Sequence, residues 1–375
     1  VDFSLNDEQQ MVVDMVRSFA SERVAPGAAE RDHSGVFPAE LFEEMGELGL
    51  LGMFVPEQYG GAGMDTLSYL LTVEELARAD ASVAVGMSVN NSVCCWPILS
   101  FGTEEQRSRY LGELATGKAL GGFMLTEPHA GSDAGSLKTR YRDEGDHWVL
   151  DGSKAWITNG IVGRYFVCLA TRDPEAGARG ISAFILDADQ EGVVFNRPED
   201  KMGLRSSKTC MVSLEGAQVP KDALLGTEGQ GLKIALATLD HSRLGIAAQA
   251  LGIARAALDE ALRYARDREQ FGVPLLEHQA VAFRLADMDT ELAAGRALLL
   301  QAVWASTQPG RHSRSSARAK LYASEMCNRV VGWAVQIHGG YGYSREYTVE
   351  RLYRDARVTT IYEGTSEVQR MVIAR

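Results

Sequence analysis

The 375-residue sequence predicts a multidomain α+β protein. A helical N-terminal domain is followed by a middle domain of mostly antiparallel β-strands and a C-terminal bundle of long antiparallel helices. Apolar residues recur at helical spacing over 1–118, at a period near two over 119–225, and at helical spacing again over 226–375. No helical crossover interrupts the strand-like stretch, which argues for a sandwich or barrel rather than a parallel sheet. Apolar residues make up 45% of the chain and charged residues 23%, enough to build packed cores and to exclude wholesale disorder.

In the first stretch, Leu41, Met45, Leu48 and Leu51 mark one helix, and Leu67, Leu70, Leu71 and Leu76 another. The Gly-rich run 57–65 separates them. In the second, HWVLDGSKAWITNG (147–160) reads as two runs around an Asp151-Gly152 hairpin turn. RYFVCLATRD (164–173), ISAFILDAD (181–189) and TCMVSLEGAQVP (209–220) are further strands between turn clusters. In the third, Leu244, Ala248, Leu251, Leu258 and Leu262 form one helical stripe. Leu285, Met288, Leu292, Leu299 and Val303 form a second; Ala323, Met326, Val330, Trp333 and Ile337 form a third. These stripes are core. SRSSAR (313–318) reads as a solvated connection, and a last short helix starts near Thr365.

Charge and motifs exclude several classes of function. The net charge of −12 argues against nucleic acid as a partner. All of it falls in residues 1–118, with 7 Lys/Arg against 19 Asp/Glu; residues 226–375 hold 19 against 16, so an anionic ligand suits that end better. No run of 18 apolar residues predicts a membrane span, and the acidic N-terminus is not a signal peptide as it stands. Five cysteines without CxxC spacing predict neither a disulfide framework nor a zinc site, and point to a reducing compartment. No metal is expected. There is no GxGxxG between strand and helix, no GxxxxGK[ST] loop, no HExxH and no GxSxG elbow.

Four polar, Gly-rich segments remain. LTEPHAGSDAGS (125–136) has small residues that let backbone N–H groups approach an anion or a flat ring. KAWITNG carries Trp156, whose ring could stack on an aromatic ligand or simply fill core. In QIHGGYGYSRE (336–346) a helix runs into glycines, which also suits a plain C-cap. RDARVTTIYEGTSEVQR (354–370) places Glu363 on a loop opening the last helix, where a dry slot would raise its pKa and make it a base.

TEPHAGSD, WITN, DREQFG, QIHGGYGY and RDARVTTIYEGTSE occur in this order, and together the chain resembles the acyl-CoA dehydrogenase family over essentially its whole length. The resemblance implies an N-terminal helical domain, a middle β domain and a C-terminal four-helix bundle. It also implies flavin adenine dinucleotide (FAD) as cofactor, a homotetramer, and electron-transferring flavoprotein as the partner taking the electrons. By the same resemblance, Phe123, Leu125, Thr126 and Ser132 lie along the flavin ring and pyrophosphate, with Ser132 also near the thioester. Trp156, Ile157 and Thr158 flank the ring. Arg268, Gln270, His278, Gln279, Gln336, Gly339 and Gly340 would serve a neighbouring subunit's adenine dinucleotide; Thr365 and Glu367 also meet the cofactor. Asp240 and Arg243 would contact the CoA portion, and Gly364 would line the acyl site beside Glu363, the base. His129 stands where many relatives carry Gly or Asn.

The family places its base at one of two positions, and here the second holds Ser242. That argues against the isovaleryl and long-chain branches. Ala84, where the glutaryl branch has arginine, disfavours a dicarboxylyl substrate. MSVNNS and RLGIAAQALGIA look most like the short-chain, butyryl branch. An acyl-CoA oxidase of the same fold is the competing enzyme, but oxidases are usually much longer; a non-catalytic acyl-CoA- or flavin-binding protein is the competing non-enzyme. A bacterial cytoplasmic setting is expected, or the mitochondrial matrix in a eukaryote.

Overall fold

The computed structural model describes residues 4–375. Seven α-helices come first: α1 (Asp7–Phe19), α2 (Ala28–Ser34), α3 (Ala39–Glu47), α4 (Thr66–Ala79), α5 (Ala81–Val89), α6 (Trp96–Phe101) and α7 (Glu104–Ala115). Their starts are written locally. Asn6 and Thr103 close capping boxes with Gln9 and Gln106, and Asp65 and Asp80 cap α4 and α5. Between α5 and α6 the chain widens into a buried π-helical stretch, Asn90–Cys95. Asn90 donates to the Leu51 and Leu114 carbonyls at 2.8 and 3.1 Å and accepts from Gly121 N at 2.7 Å. The MSVNNS run is thus a buried hydrogen-bonded joint between the helical and β domains.

Eight strands form one sheet: β1 (Gly121–Met124), β2 (Arg140–Asp143), β3 (His147–Thr158), β4 (Tyr165–Thr171), β5 (Ile181–Asp187), β6 (Val193–Pro198), β7 (Thr209–Pro220) and β8 (Leu224–Leu225). The order is β6-β7-β3-β2-β4-β5-β8, with β1 alongside β4. Pairing is antiparallel except where β1 and β2 meet β4. The sheet curls around its own core: Trp148 of β3 meets Phe184 of β5 at 5.8 Å, and Phe166 of β4 meets Phe195 of β6 at 5.4 Å. The other side of β4 and β5 packs against α7 and neighbouring helical residues through Val167, Leu169, Ala183 and Ile185.

Two sequence expectations fail here. Asp151-Gly152 is no hairpin turn, because β3 runs unbroken from His147 to Thr158 against β7. The pair forms a bulge instead: Gly152 has φ 154°, and a Cβ there would lie 2.5 Å from Thr139 Oγ1. SRSSAR is not a solvated connection but the start of a long helix, with Ser316 and Ala317 buried.

The C-terminal part holds α8 (Gly231–Asp267), α9 (Gln279–Ser306), α10 (Ser313–His338), α11 (Thr348–Ala356) and α12 (Ser366–Ala374). A two-stranded ribbon, β9 (Glu269–Gln270) and β10 (Val273–Pro274), links α8 to α9. The three long helices pack on one another, α11 lies against α8 and α10, and α12 lies against α10. Helix α8, about 55 Å long, also packs along α4. Gly252 permits this close approach, since a Cβ there would meet the Glu74 carbonyl at 2.3 Å. One apolar core therefore joins Val16, Leu70, Val73 and Leu76 to Leu244, Leu251, Met288 and Met326.

All three parts meet around Arg354, which donates to Asp32 at 2.5 and 2.9 Å, to Glu350 at 2.8 Å and to the Met202 carbonyl at 3.1 Å. Beside it Leu204 N donates to Asp355 Oδ1 at 2.6 Å, and burial pushes the Asp355 carboxyl up to about 7. The five cysteines are buried and unpaired. Among the described residues no helix is long and apolar enough to cross a membrane, and no His/Cys/Asp/Glu group is arranged to hold a metal.

Candidate active site

The candidate residues fall into three groups, each built by different elements. The first surrounds the end of β1 and the bulge of β3. Ala155 N donates to the Thr126 carbonyl at 2.9 Å, which seats the TEPHAGSD loop against KAWITN. A bulge between Lys154 and Ile157 turns Trp156 outward: its φ is 61° and the residue is 62% exposed, while Ile157 beside it is buried. Positive φ is strained for a bulky residue and persists only where the surroundings over-determine it.

Two anchors supply that constraint. Lys154 and Glu127, 0% and 2% exposed, form an ion pair at 2.7 Å. Glu127 also accepts from Lys138 N and Thr139 N, and Lys154 reaches the Leu125 carbonyl at 3.4 Å. Burial pushes the Glu127 carboxyl up, but the Lys154 charge and these hydrogen bonds outweigh it and hold it below the usual range. On the far side Asn159, also at positive φ, donates to the Gly86 and Gly121 carbonyls at 3.0 Å each. Phe123 and Thr158 are partly buried nearby on β1 and β3; Leu125 is buried and Ser132 exposed. His129 sits on the exposed loop, 3.6 Å from Glu127.

The second group is built by α8, α10 and the loop before α12. Glu363 has φ 53° and Gly364 φ 92°. Ser242 of α8 donates a short hydrogen bond to the Glu363 carboxylate. Ser242 and Glu363, the two positions at which the resemblance would allow a base, are therefore in contact. Arg243 Nε reaches the Glu363 carbonyl at 3.4 Å and its Nη1 pairs with Asp240 at 2.6 Å; Asp240 also accepts from Ser313. Burial raises the Glu363 carboxyl above the ordinary glutamate range, opposed by the Ser242 hydrogen bond and the charges of Lys320 and Arg243. A raised carboxylate in a confined loop is suited to proton abstraction. Thr365 caps α12, accepting from Val368 N at 3.3 Å, and Glu367 lies exposed in its first turn.

The third group lies apart from these. Arg268, Gln270, Gly339 and Gly340 line a cavity of about 490 Å³ with Tyr264, Leu275, Ile337, His338 and Tyr341. The Arg268 guanidinium lies 5.7 Å from the Tyr341 ring centre, and His278 Nε2 lies 3.1 Å from the Gln270 carbonyl. Gln279 opens α9 and Gln336 sits in the last turn of α10, both exposed. No residue of the first two groups lines this cavity.

Sequence reasoning overlooked three contributors. Lys320 is fully buried and donates to the Gly364 carbonyl at 2.8 Å. Its signal was a lysine in register with the apolar face Ala323, Cys327, Val330 and Ala334 of α10. Gln369 donates to the Glu363 and Gly364 carbonyls at 3.3 and 2.8 Å. The Glu127–Lys154 pair spans 27 residues, and no spacing rule reveals it.

Comparison with known proteins shows the family. The acyl-CoA dehydrogenase N-terminal, middle and C-terminal domain models match residues 6–118, 122–217 and 229–375. The probable acyl-CoA dehydrogenase YngJ of Bacillus subtilis (strain 168) is 47% identical over 376 aligned positions, covering 100% of this chain and 99% of that protein. Butyryl-CoA dehydrogenase from Megasphaera elsdenii superposes with a TM-score of 0.98 at 45% identity, covering 100% and 99% of the two chains. A chain from the structural study of the electron transferring flavoprotein of Acidaminococcus fermentans and flavin-based electron bifurcation gives 0.98 at 46% identity, again over 100% and 99%. Matched in all three of its parts, and by relatives approaching half identity, the chain belongs to the acyl-CoA dehydrogenase family of flavoprotein oxidoreductases.

Proposed function

We propose that this protein dehydrogenates a saturated short-chain acyl-CoA thioester to the trans-2-enoyl-CoA, using FAD and passing electrons to an electron-transferring flavoprotein. The observation that carries the reading is Glu363, a half-buried carboxylate at positive φ that accepts from Ser242, with Arg243 on its carbonyl and its proton affinity raised by desolvation. Likeness to a butyryl-CoA dehydrogenase supports the chain length, and the Acidaminococcus fermentans structure supports the class of partner.

The residues present fit FAD. Trp156 offers an exposed aromatic face held by its bulge, and a Cβ built on Gly131, Gly339 or Gly340 would meet nothing within 4 Å, so backbone there is open to a flat or anionic group. Phe123, Leu125, Thr126, Ser132, Trp156, Ile157 and Thr158 would hold the flavin ring. Arg268, Gln270, His278, Gln279, Gln336, Gly339 and Gly340 would hold the adenine dinucleotide of a neighbouring subunit, with Thr365 and Glu367 beside it. When bound, FAD supplies the acceptor for the β-hydrogen. Glu363 removes the α-proton, and its backbone N–H serves the developing negative charge on the thioester oxygen. Arg243 and Asp240 orient the CoA portion, and Gly364 lines the acyl slot.

Anaerobic bleaching of the bound flavin by acyl-CoAs of graded length tests the reaction, with C4 expected fastest. A colourless protein that takes up no FAD would end this reading. Assembly is tested separately. A homotetramer is expected, and Arg268→Ala should weaken FAD binding roughly 10- to 100-fold, the worth of one charge-assisted hydrogen bond. Equilibrium dialysis and light scattering should report both losses together; unchanged affinity and an intact assembly would place Arg268 outside a shared site.

A further inference from the structure

Lys320 is the most deeply buried charge near the base, at 0% exposure, and it makes no direct ion pair among the described residues. An ammonium withdrawn from water is costly unless it meets strong acceptors, and a methionine of similar length would pack there more cheaply. What it meets is the Gly364 carbonyl, at 2.8 Å. That oxygen also accepts from Gln369 at 2.8 Å, while the preceding carbonyl, of Glu363, receives Arg243 and Gln369 at 3.4 and 3.3 Å. Three side chains from α8, α10 and α12 thus converge on two consecutive peptides. Those are the peptides at positive φ, where a glutamate stays only under outside constraint.

We infer that Lys320 is a positioning residue for Glu363, fixing the Glu363–Gly364 turn through the Gly364 carbonyl and facing the carboxylate with a buried positive charge. The inference rests on Glu363 being the base. Its surroundings are consistent with it. Burial pushes the Lys320 ammonium down to about 8, with Glu363 pulling it back up, Arg243 of α8 opposing, and Glu325 and Glu367 adding smaller upward effects. In return the Lys320 charge favours the ionised form of Glu363 against burial. The other groups facing Glu363 are Arg243 and Ser242 on α8; Tyr69 on α4 and the adjoining Tyr362 feel its charge. The Lys320 charge therefore opposes the effect of burial on the base.

Two substitutions separate charge from tether. Lys320→Gln keeps an N–H donor for the Gly364 carbonyl and removes the charge; Lys320→Met removes both. Flavin bleaching is followed by stopped flow from pH 5.5 to 9, with enoyl-CoA binding and thermal unfolding measured alongside. The acid limb should move to higher pH in both variants, with a fall of about tenfold at the acidic end. Lys320→Gln should regain nearly the parent rate at alkaline pH, and Lys320→Met a lower plateau. Enoyl-CoA affinity should stay within about twofold of the parent. If both variants lose stability or plateau rate but keep the parent's acid limb, Lys320 is merely structural and the inference falls. Should Lys320→Met fail to fold, the limb of Lys320→Gln decides. Glu363→Gln run in parallel tests the underlying reading: if it bleaches, the base assignment fails, whereas a dead Glu363→Gln beside unmoved Lys320 limbs overturns this inference alone.

Discussion

Glu363→Gln is expected to abolish flavin bleaching by acyl-CoA while leaving FAD and thioester binding nearly intact. The amide matches the carboxylate in size and still accepts from Ser242, whose hydroxyl bonds the carboxylate. It cannot take the α-proton. Loss of a general base costs about 10²–10⁴ in rate. Stopped-flow bleaching and equilibrium titration with enoyl-CoA separate the two effects. Near-parent bleaching would remove Glu363 from the mechanism. The contact with Ser242 sharpens a companion test, because the double variant Glu363→Gln/Ser242→Glu places a carboxylate within reach of the vacated site. Partial recovery with altered chain-length preference is expected if that carboxylate comes within about 1 Å of the productive position.

The second large effect is on stability. Lys154→Met should cost about 3–5 kcal/mol, since it leaves Glu127 charged and buried without its partner. The same change should release Trp156 from its strained φ and weaken FAD binding, which tryptophan fluorescence quenching on FAD addition can follow. Replacing both partners, Glu127→Leu with Lys154→Met, should recover much of the stability but not the fixed geometry. The pH dependence has a defined sign. Glu127 titrates below its unfolded value, so the pair's contribution is present above about pH 4.3 and is lost as pH falls through the folded value. Denaturant unfolding at pH 7 and pH 4 should therefore show the Lys154→Met penalty at pH 7 and a smaller one at pH 4. An equal penalty at both would assign it to packing.

Much of the fold was legible because periodicity reports burial directly. The change from helical to two-residue spacing near Gly121 and back near Gly231 coincides with β1 and α8. The failures have local causes. Asp151-Gly152 carries turn chemistry, yet the positive φ it permits serves equally in a bulge, and the pairing of β3 with β7 decides between them. SRSSAR is polar at its start, but Ser313 is held by Asp240 and the helix begins there. At the site, the ordered motifs named the loops and Glu363. They did not name what holds those loops. Lys320 left a trace, a lysine on the apolar face of α10, but its partner Gly364 lies on another element; the Glu127–Lys154 pair, 27 residues apart, follows no spacing rule, and Gln369 reads as an ordinary helix residue.

The core shared between α4 and α8 bears on how the chain is made. Val73 and Leu76 are buried against a helix that begins about 155 residues later, so the N-terminal helices leave the ribosome with one apolar face uncovered. At about 5–20 residues per second that face waits on the order of ten seconds for α8. The three sequence-contiguous parts are therefore not folding units: the first cannot complete its interior until the last is synthesised. A nascent chain stalled before Gly231 holds Leu70, Val73 and Leu76 without the α8 surface that covers them in the finished protein.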